Sequence, residues 1–243
     1  VTFNILIVGQ KGRLQHEAAL FAASLRHNAP NWSGRLIVAE PQPGPLWPDD
    51  PRIPDSAQRN LLQSLDAEIA PFENRHFGSA YSYGNKIEAL AAMPAGPFVF
   101  FDTDTVITAE LADIVIDFTR PSASMKREGT WPQVDLYGPN FNDMWGVLHE
   151  RRGGRLADTL DTRWPDNHWR RYLYFNAGWF LGDDPQAFYR AFRDAALMIR
   201  DDPPDEIVTQ ELDPWLDQRV ASSTRRPFSP QAFATTHRIG PAG

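Results

Sequence analysis

Short, unbroken apolar runs alternating with helix-length stretches limit what this chain can fold into more than any other feature. Residues 3–8 run Phe-Asn-Ile-Leu-Ile-Val and stop at Gly9; residues 35–39 run Arg-Leu-Ile-Val-Ala; residues 96–101 run Gly-Pro-Phe-Val-Phe-Phe. A strand that is apolar at successive positions rather than alternate ones has both faces covered, as strands inside a parallel sheet do. Between these runs, residues 16–26 space Ala19, Phe21, Ala22 and Leu25 along one helical face. Residues 56–65 resume helical spacing, and residues 82–93 carry Ile87, Leu90 and Ala91 inward. Strand–helix–strand order with right-handed crossovers predicts an α/β domain, a mainly parallel sheet flanked by helices.

Six prolines between positions 41 and 54 mark an extended loop. Residues 130–180 differ in character, holding five of the eight tryptophans among many Gly, Pro and Asn residues. Trp and Phe dominate cores, yet rings mixed with Asn, Asp and Arg also suit a carbohydrate cleft, with Trp131, Trp145 and Trp164 as its expected members. A second apolar run, Tyr172-Leu-Tyr-Phe175, leads through Asn176-Ala-Gly178 into Trp179-Phe-Leu181. Residues 185–200 predict a helix with Pro185 in its first turn and Asp183 or Asp184 as cap. Residues 205–220 predict another.

The 243 residues, 42% hydrophobic and 23% charged, suit one large domain or two small ones and exclude a disordered or fibrous chain. A net charge of −7 argues against a sequence-independent hold on nucleic acid, which needs a basic surface. The lack of cysteine excludes disulfides and thiolate chemistry. No run approaches the roughly 20 apolar residues of a membrane helix, and the start lacks the pattern of a signal peptide. A cytoplasmic protein without a transmembrane segment is the expectation, and peripheral membrane association stays open.

The sharpest chemical feature is Asp102-Thr-Asp104, directly after the most apolar run. Open parallel sheets bind ligands outside the carboxyl ends of their strands. Two carboxylates one residue apart there repel each other unless a divalent cation sits beside them. Two enzyme classes share such a signature. Val99-Phe-Phe-Asp-Thr-Asp-Thr-Val106 resembles the first motif of haloacid-dehalogenase-type phosphatases, with Gly182-Asp-Asp184 similar to their late magnesium-binding motif. That family, however, opens on its nucleophile strand, and its required lysine would have to be Lys126.

The same residues resemble the Asp-x-Asp motif of GT-A glycosyltransferases, and here four further motifs follow in order. Tyr83-Gly-Asn-Lys86 is similar to a helix carrying a basic donor-contacting residue. Phe175-Asn-Ala-Gly178 resembles a motif found past the acceptor region, Asp217-Gln218 an Asp-Gln pair, and His237-Arg-Ile-Gly240 a closing His-x-x-Gly element. The conjunction spans about residues 3–240 and is closest to the retaining branch of glycogenin and the lipopolysaccharide galactosyltransferases. It implies a metal-dependent transfer of a hexosyl group from a nucleotide-diphosphate sugar to a glycan, glycolipid or other hydroxyl acceptor. Asp102, Asp104 and His237 are the implied ligands of Mn2+ or Mg2+. Lys86, Gly9, Asp102, Ala177 and Gly178 are the implied donor-binding residues, and Asn176, Asp217 and Gln218 the implied catalytic ones.

The departures lie at Trp179, where Val or Met is usual, and at Gly9-Gln-Lys-Gly12, which replaces the usual polar donor loop. The expected organisation is one domain over 1–243, with a nucleotide-sugar half at 1–117 and an acceptor-binding and closing half at 118–243. The acceptor-side insertion is expected at about 118–172. A phosphatase using Asp102 and Asp104, or an inactive carbohydrate-binding protein, is the alternative.

Overall fold

The computed structural model describes residues 2–124, 126–214, 216 and 217. Its strands are β1 (Asn4–Val8), β2 (Leu36–Pro41), β3 (Ala67–Phe72), β4 (Phe98–Phe101), β5 (Ser122–Ala123) and β6 (Trp179–Gly182). They form one sheet in the order β3-β2-β1-β4-β6-β5. The first four are mutually parallel, and β6 runs antiparallel to both its neighbours. The mainly parallel sheet expected from the apolar runs is therefore present, and the antiparallel β6 makes it mixed.

Strand alternation divides the core into two layers. Ile5, Ile7, Leu36, Val38, Val99 and Phe101 face Ala18, Phe21, Ala22 and Leu25 of α1 (Arg13–Asn28) and Leu62 of α2 (Ser56–Ser64). Leu6, Ile37, Phe98, Phe100 and Phe180 face the other way, toward α4 (Phe141–Arg151) and α5 (Pro185–Asp201). There Phe180 stacks on Phe100 at 4.6 Å and on Phe188 at 5.0 Å. Asp184 caps α5, accepting from the N–H groups of Gln186 and Ala187.

Several expectations need correction. Over residues 82–93 only Asn85–Glu88 (α3) is α-helical, between 3-10 turns at Gly78–Gly84 and Ala89–Ala92. Tyr81 breaks the first turn at φ −147°, ψ 80°, and Pro94 ends the last. Within 205–220 the described residues give a 3-10 turn at Asp205–Ile207, turns through Pro214 and helical backbone at Leu216 and Asp217. The helix expected over the whole stretch does not form as one piece, since Pro214 cannot donate a helical N–H. Trp131 and Trp145 are core residues, each 2% exposed and packed edge-to-face at 5.3 Å, not cleft walls. β3 and α4 are additions. β3 tolerates Pro71 because it is an edge strand. In α4, Asn140 and Asp143 form a reciprocal capping box.

His149 on α4 is buried, with Nδ1–H donating to the Trp145 carbonyl at 2.8 Å. Burial holds its pKa below the ordinary 6.5, outweighing that hydrogen bond, and Arg152 pushes it the same way. The unfolded chain therefore takes up this proton first as pH falls. The stability it confers is intact above pH 6.5 and drains below it, at up to about 1.4 kcal/mol per pH unit. Urea unfolding at pH 7.5 and 5.5 should show a smaller acid loss for His149→Gln than for the wild type; equal losses would assign the titration elsewhere.

Candidate active site

Strand order places the site. β2 and β3 leave β1 on one side and β4 joins it on the other, so the topology switches between β1 and β4, where such sheets bind ligands. A cavity of about 330 Å³ lies there. It is lined by Gln10, Lys11 and Arg13 after β1, Asp102, Thr103 and Asp104 after β4, and Asn85 and Lys86 of α3. Thr103 ties the two strand ends together, its hydroxyl donating to the Val8 carbonyl at 2.7 Å. Asn85 reaches the first loop by donating to Gln10 Oε1 at 2.8 Å.

Period-two alternation sets Asp102 on the face that carries Phe98 and Phe100, the side occupied by α3. Its Oδ1 lies 2.9 Å from Lys86 Nζ, and the same ammonium lies 2.8 Å from Asp217 Oδ2. Lys86 and Asp217 are buried, while about a third of the Asp102 side chain (36%) stays exposed. Lys86 also stands 5.7 Å from the centre of the Phe100 ring. Burial alone would pull the lysine down; the Asp102 and Asp217 carboxylates outweigh it, and its pKa ends above the ordinary 10.5. Burial pushes Asp102 up, Lys86 pulls it back, and Asp217 and Asp104 add to the upward push.

Tyr81, absent from the sequence expectations, completes this network. Its hydroxyl accepts from the Asp217 N–H at 3.0 Å and lies 2.9 Å from Asp217 Oδ1. Burial and the Asp217 charge raise its pKa, so the phenol stays protonated. Tyr81 lies just ahead of the expected helix, at the non-helical point of the 3-10 segment Gly78–Gly84, and its hydroxyl reaches Asp217 from there. Below, Glu88 anchors α3 by accepting from the N–H groups of Arg75, His76 and Phe77 at 2.6–3.2 Å.

The turn 176–178 abuts the same carboxylate. The Gly178 carbonyl accepts from the Asp102 N–H at 2.8 Å, and Asn176 Oδ1 accepts from the Gly178 N–H at 2.8 Å. A Cβ on Gly178 would stand 2.6 Å from Asn176 Oδ1, so a side chain there would displace the amide oxygen that accepts the Gly178 N–H. Ala177 is buried beneath it. Gly9 serves packing, since a Cβ there would meet Val38 at 2.4 Å; the cavity is lined by its neighbours Val8 and Gln10. Gln218 and His237 lie outside the described residues.

Among the described residues no group of three or more acidic or imidazole side chains gathers as a ready metal cage. The donors present nonetheless fit a divalent cation. Asp102 Oδ2 is not taken by Lys86, and Asp104 is exposed, with Arg13 no closer than 3.9 Å. Hard oxygen donors in small number suit Mg2+ or Mn2+ that completes its shell with phosphate oxygens and water. A cation would also offset the burial that pushes Asp102 upward and the smaller push from Asp217 and Asp104.

The phosphatase motifs are not brought together. Gly182 pairs with Phe98, so Asp183 and Asp184 follow the end of the sheet opposite Asp102, and Asp184 is the α5 cap. The lysine that scheme requires, Lys126, pairs instead with Glu128 at 3.2 Å.

A family model described as the Rhodobacterales glycosyltransferase domain matches residues 5–222. Among solved structures, the galactosyltransferase LgtC in complex with donor and acceptor sugar analogues superposes with a TM-score of 0.51 at 12% identity, over 93% of this chain and 72% of that one. An active-site mutant of LgtC gives a TM-score of 0.53 at 12% identity, over 93% and 71%. No curated protein sequence matches this one.

Proposed function

The chain belongs to the Rhodobacterales glycosyltransferase domain family, and from that premise we propose that it moves a hexosyl group from a nucleoside diphosphate sugar to a hydroxyl acceptor, glycan or glycolipid, with retention at the anomeric carbon. Its six-stranded mixed sheet is the GT-A glycosyltransferase architecture. The observation that carries the proposal is the convergence of Asp102, Asp104 and Lys86 on the switch-point cavity.

In the transfer the bond from the anomeric carbon to the diphosphate oxygen breaks and a bond to the acceptor oxygen forms, while the acceptor proton passes to the leaving diphosphate. Asp102 and Asp104 would hold a divalent cation, which supplies neutralisation of charge building on the leaving group. Lys86 spends two N–H groups on Asp102 and Asp217, so its first task is to fix both carboxylates, leaving one N–H for the diphosphate. Asp217, clamped by Lys86 and Tyr81, offers a preorganised negative charge beside the positive charge developing on the sugar, which costs no reorganisation at the moment of reaction. Asn176 and the backbone of Ala177 and Gly178 offer hydrogen bonds to sugar hydroxyls. A second cavity shares Lys11 with the first and continues past Arg52 and Arg59; it has room for the nucleoside.

No helix among the described residues is long and apolar enough to cross a membrane. A thermal-shift screen of nucleotide sugars with and without manganese tests the proposal. The correct donor, near a hundredfold above its Kd, should raise the melting temperature by about 5–10 °C, and that donor should then release nucleoside diphosphate only with an acceptor. Magnesium-dependent hydrolysis of aryl phosphate lost in Asp102→Asn, with no donor bound, would reverse the assignment. Donor binding without turnover on any acceptor would mark an inactive carbohydrate-binding protein.

A further inference from the structure

On the acceptor side, Arg170 has no carboxylate partner among the described residues. Arg155 pairs with Asp158 at 3.4 Å, Arg163 with Asp161 at 2.7 Å and Arg171 with Asp166 at 2.9 Å. Arg170, between them in sequence, has an exposed guanidinium with no carboxylate or hydrogen-bond acceptor among the described residues. It is nonetheless fixed in place. Its guanidinium carbon stands 4.9 Å from the ring centres of both Trp164 and Trp169. His168 stacks on Trp164 at 4.7 Å and on Trp169 at 5.9 Å, closing the aromatic group. The backbone is held as well: the Arg170 N–H donates to His168 Nδ1 at 3.2 Å, and Arg127 donates to the Arg170 carbonyl. An arginine held against two aromatic rings, with N–H groups unspent among the described residues, is prepared for a bidentate oxyanion, because less side-chain freedom remains to be lost.

This platform is connected to the active site through a short pair of extended segments. The Asn176 N–H donates to the Lys126 carbonyl at 2.9 Å, Arg127 bridges Phe175, and the Glu128 N–H donates to the Tyr174 carbonyl at 3.1 Å. The Trp169 ring then lies against Gly129, where a Cβ would approach it to 3.0 Å. Three residues of extended chain separate Lys126 from Gly129, about 10 Å. The platform therefore stands within a short oligosaccharide's length of the turn at Asn176–Gly178. Trp164 enters this arrangement as a support for the cation rather than as the sugar-stacking wall expected from sequence.

We propose that Arg170, held by Trp164 and Trp169, binds an oxyanion on the acceptor, making acidic glycans the acceptor class of this enzyme. The proposal rests on the glycosyltransferase reading and narrows it. A uronate carboxylate and a phosphate ester present the same two-oxygen edge to the fork.

An array of uronate-bearing oligosaccharides, phosphate-bearing ones and their neutral parents, probed with the full chain, tests this and separates the two sources. The wild type should retain one acidic set above its neutral parents, more weakly as salt is added. Arg170→Ala should lose that preference by roughly tenfold or more, the scale of a charged hydrogen-bonded contact. Arg170→Lys should restore only part of it, because an ammonium keeps the charge without the fork. Equal retention of acidic and neutral members by the wild type, no retention of either, or an undiminished preference in a folded Arg170→Ala would each overturn the proposal. Wild-type binding of nucleoside diphosphates with manganese is measured in parallel. Its absence would sink the glycosyltransferase reading, whereas its presence without an acidic preference would sink this inference alone.

Discussion

Lys86→Met is expected to destabilise the protein by about 3 kcal/mol, the low end of what breaking a buried ion pair costs, and to lower its melting temperature by about 6–12 °C. The methionine fills most of the volume, so the loss is electrostatic. Asp217 is 2% exposed, and without the ammonium its carboxylate faces that of Asp102 with the Tyr81 hydroxyl as its remaining partner among the described residues. The figure sits at the low end because Asp102 opens to the cavity and can recover some water. Lys86→Met combined with Asp217→Asn should regain about 1–3 kcal/mol, the coupling expected of groups in one network, since the unpaired charge is then gone. Urea unfolding measures both. A single variant within about 0.5 kcal/mol of wild type, the range of an ordinary surface substitution, would mean that the three charges do not form one network.

That network shows how far sequence could reach. The runs that became β1, β2 and β4 were legible because strands covered on both faces must be apolar at every position, and Asp102 stood out as a charge where such a run stops. Asp217 could be singled out only by resemblance. As a solvated acid on a helix it would have been unremarkable, and its burial depends on Tyr81, 136 positions earlier. The signal for Tyr81 was absent, since an aromatic beside Gly78 and Gly84 reads as ordinary core until the kink is seen. β3 was hidden by Pro71, which local rules place at a strand's edge or outside it. α4 was legible in principle: Asn140 and Asp143 are spaced as a capping box, with Phe141, Met144, Trp145 and Leu148 on one face. Trp131 and Trp145 misled because a tryptophan-rich stretch has the same composition whether its rings meet sugar or each other.

Asp104→Asn is expected to lower sugar transfer by about 100- to 1000-fold, the scale of removing one group that stabilises transition-state charge, while leaving the fold intact. The contrast with Lys86 follows from burial. More than half of the Asp104 side chain is exposed (57%), its nearest cation is Arg13 at 3.9 Å, and surface pairs of that kind contribute little to stability. A carboxylate that the fold hardly uses, one residue beyond Asp102 at the switch-point cavity, has its purpose in what the cavity binds. Asparagine keeps the shape and one oxygen but removes the charge that retains a divalent cation. Binding of the nucleoside diphosphate, followed by thermal shift in manganese and in chelator, should therefore depend on manganese in the wild type and lose that dependence in Asp104→Asn. Equal affinity in both solutions for the wild type would remove the cation from the mechanism and leave Lys86 as the charge facing the diphosphate. The identity of the ion carries a second test. Oxygen donors alone suit magnesium as well as manganese, whereas an imidazole added by His237 would favour manganese. His237→Ala should then weaken manganese-supported binding more than magnesium-supported binding, and equal weakening would take that histidine out of the shell.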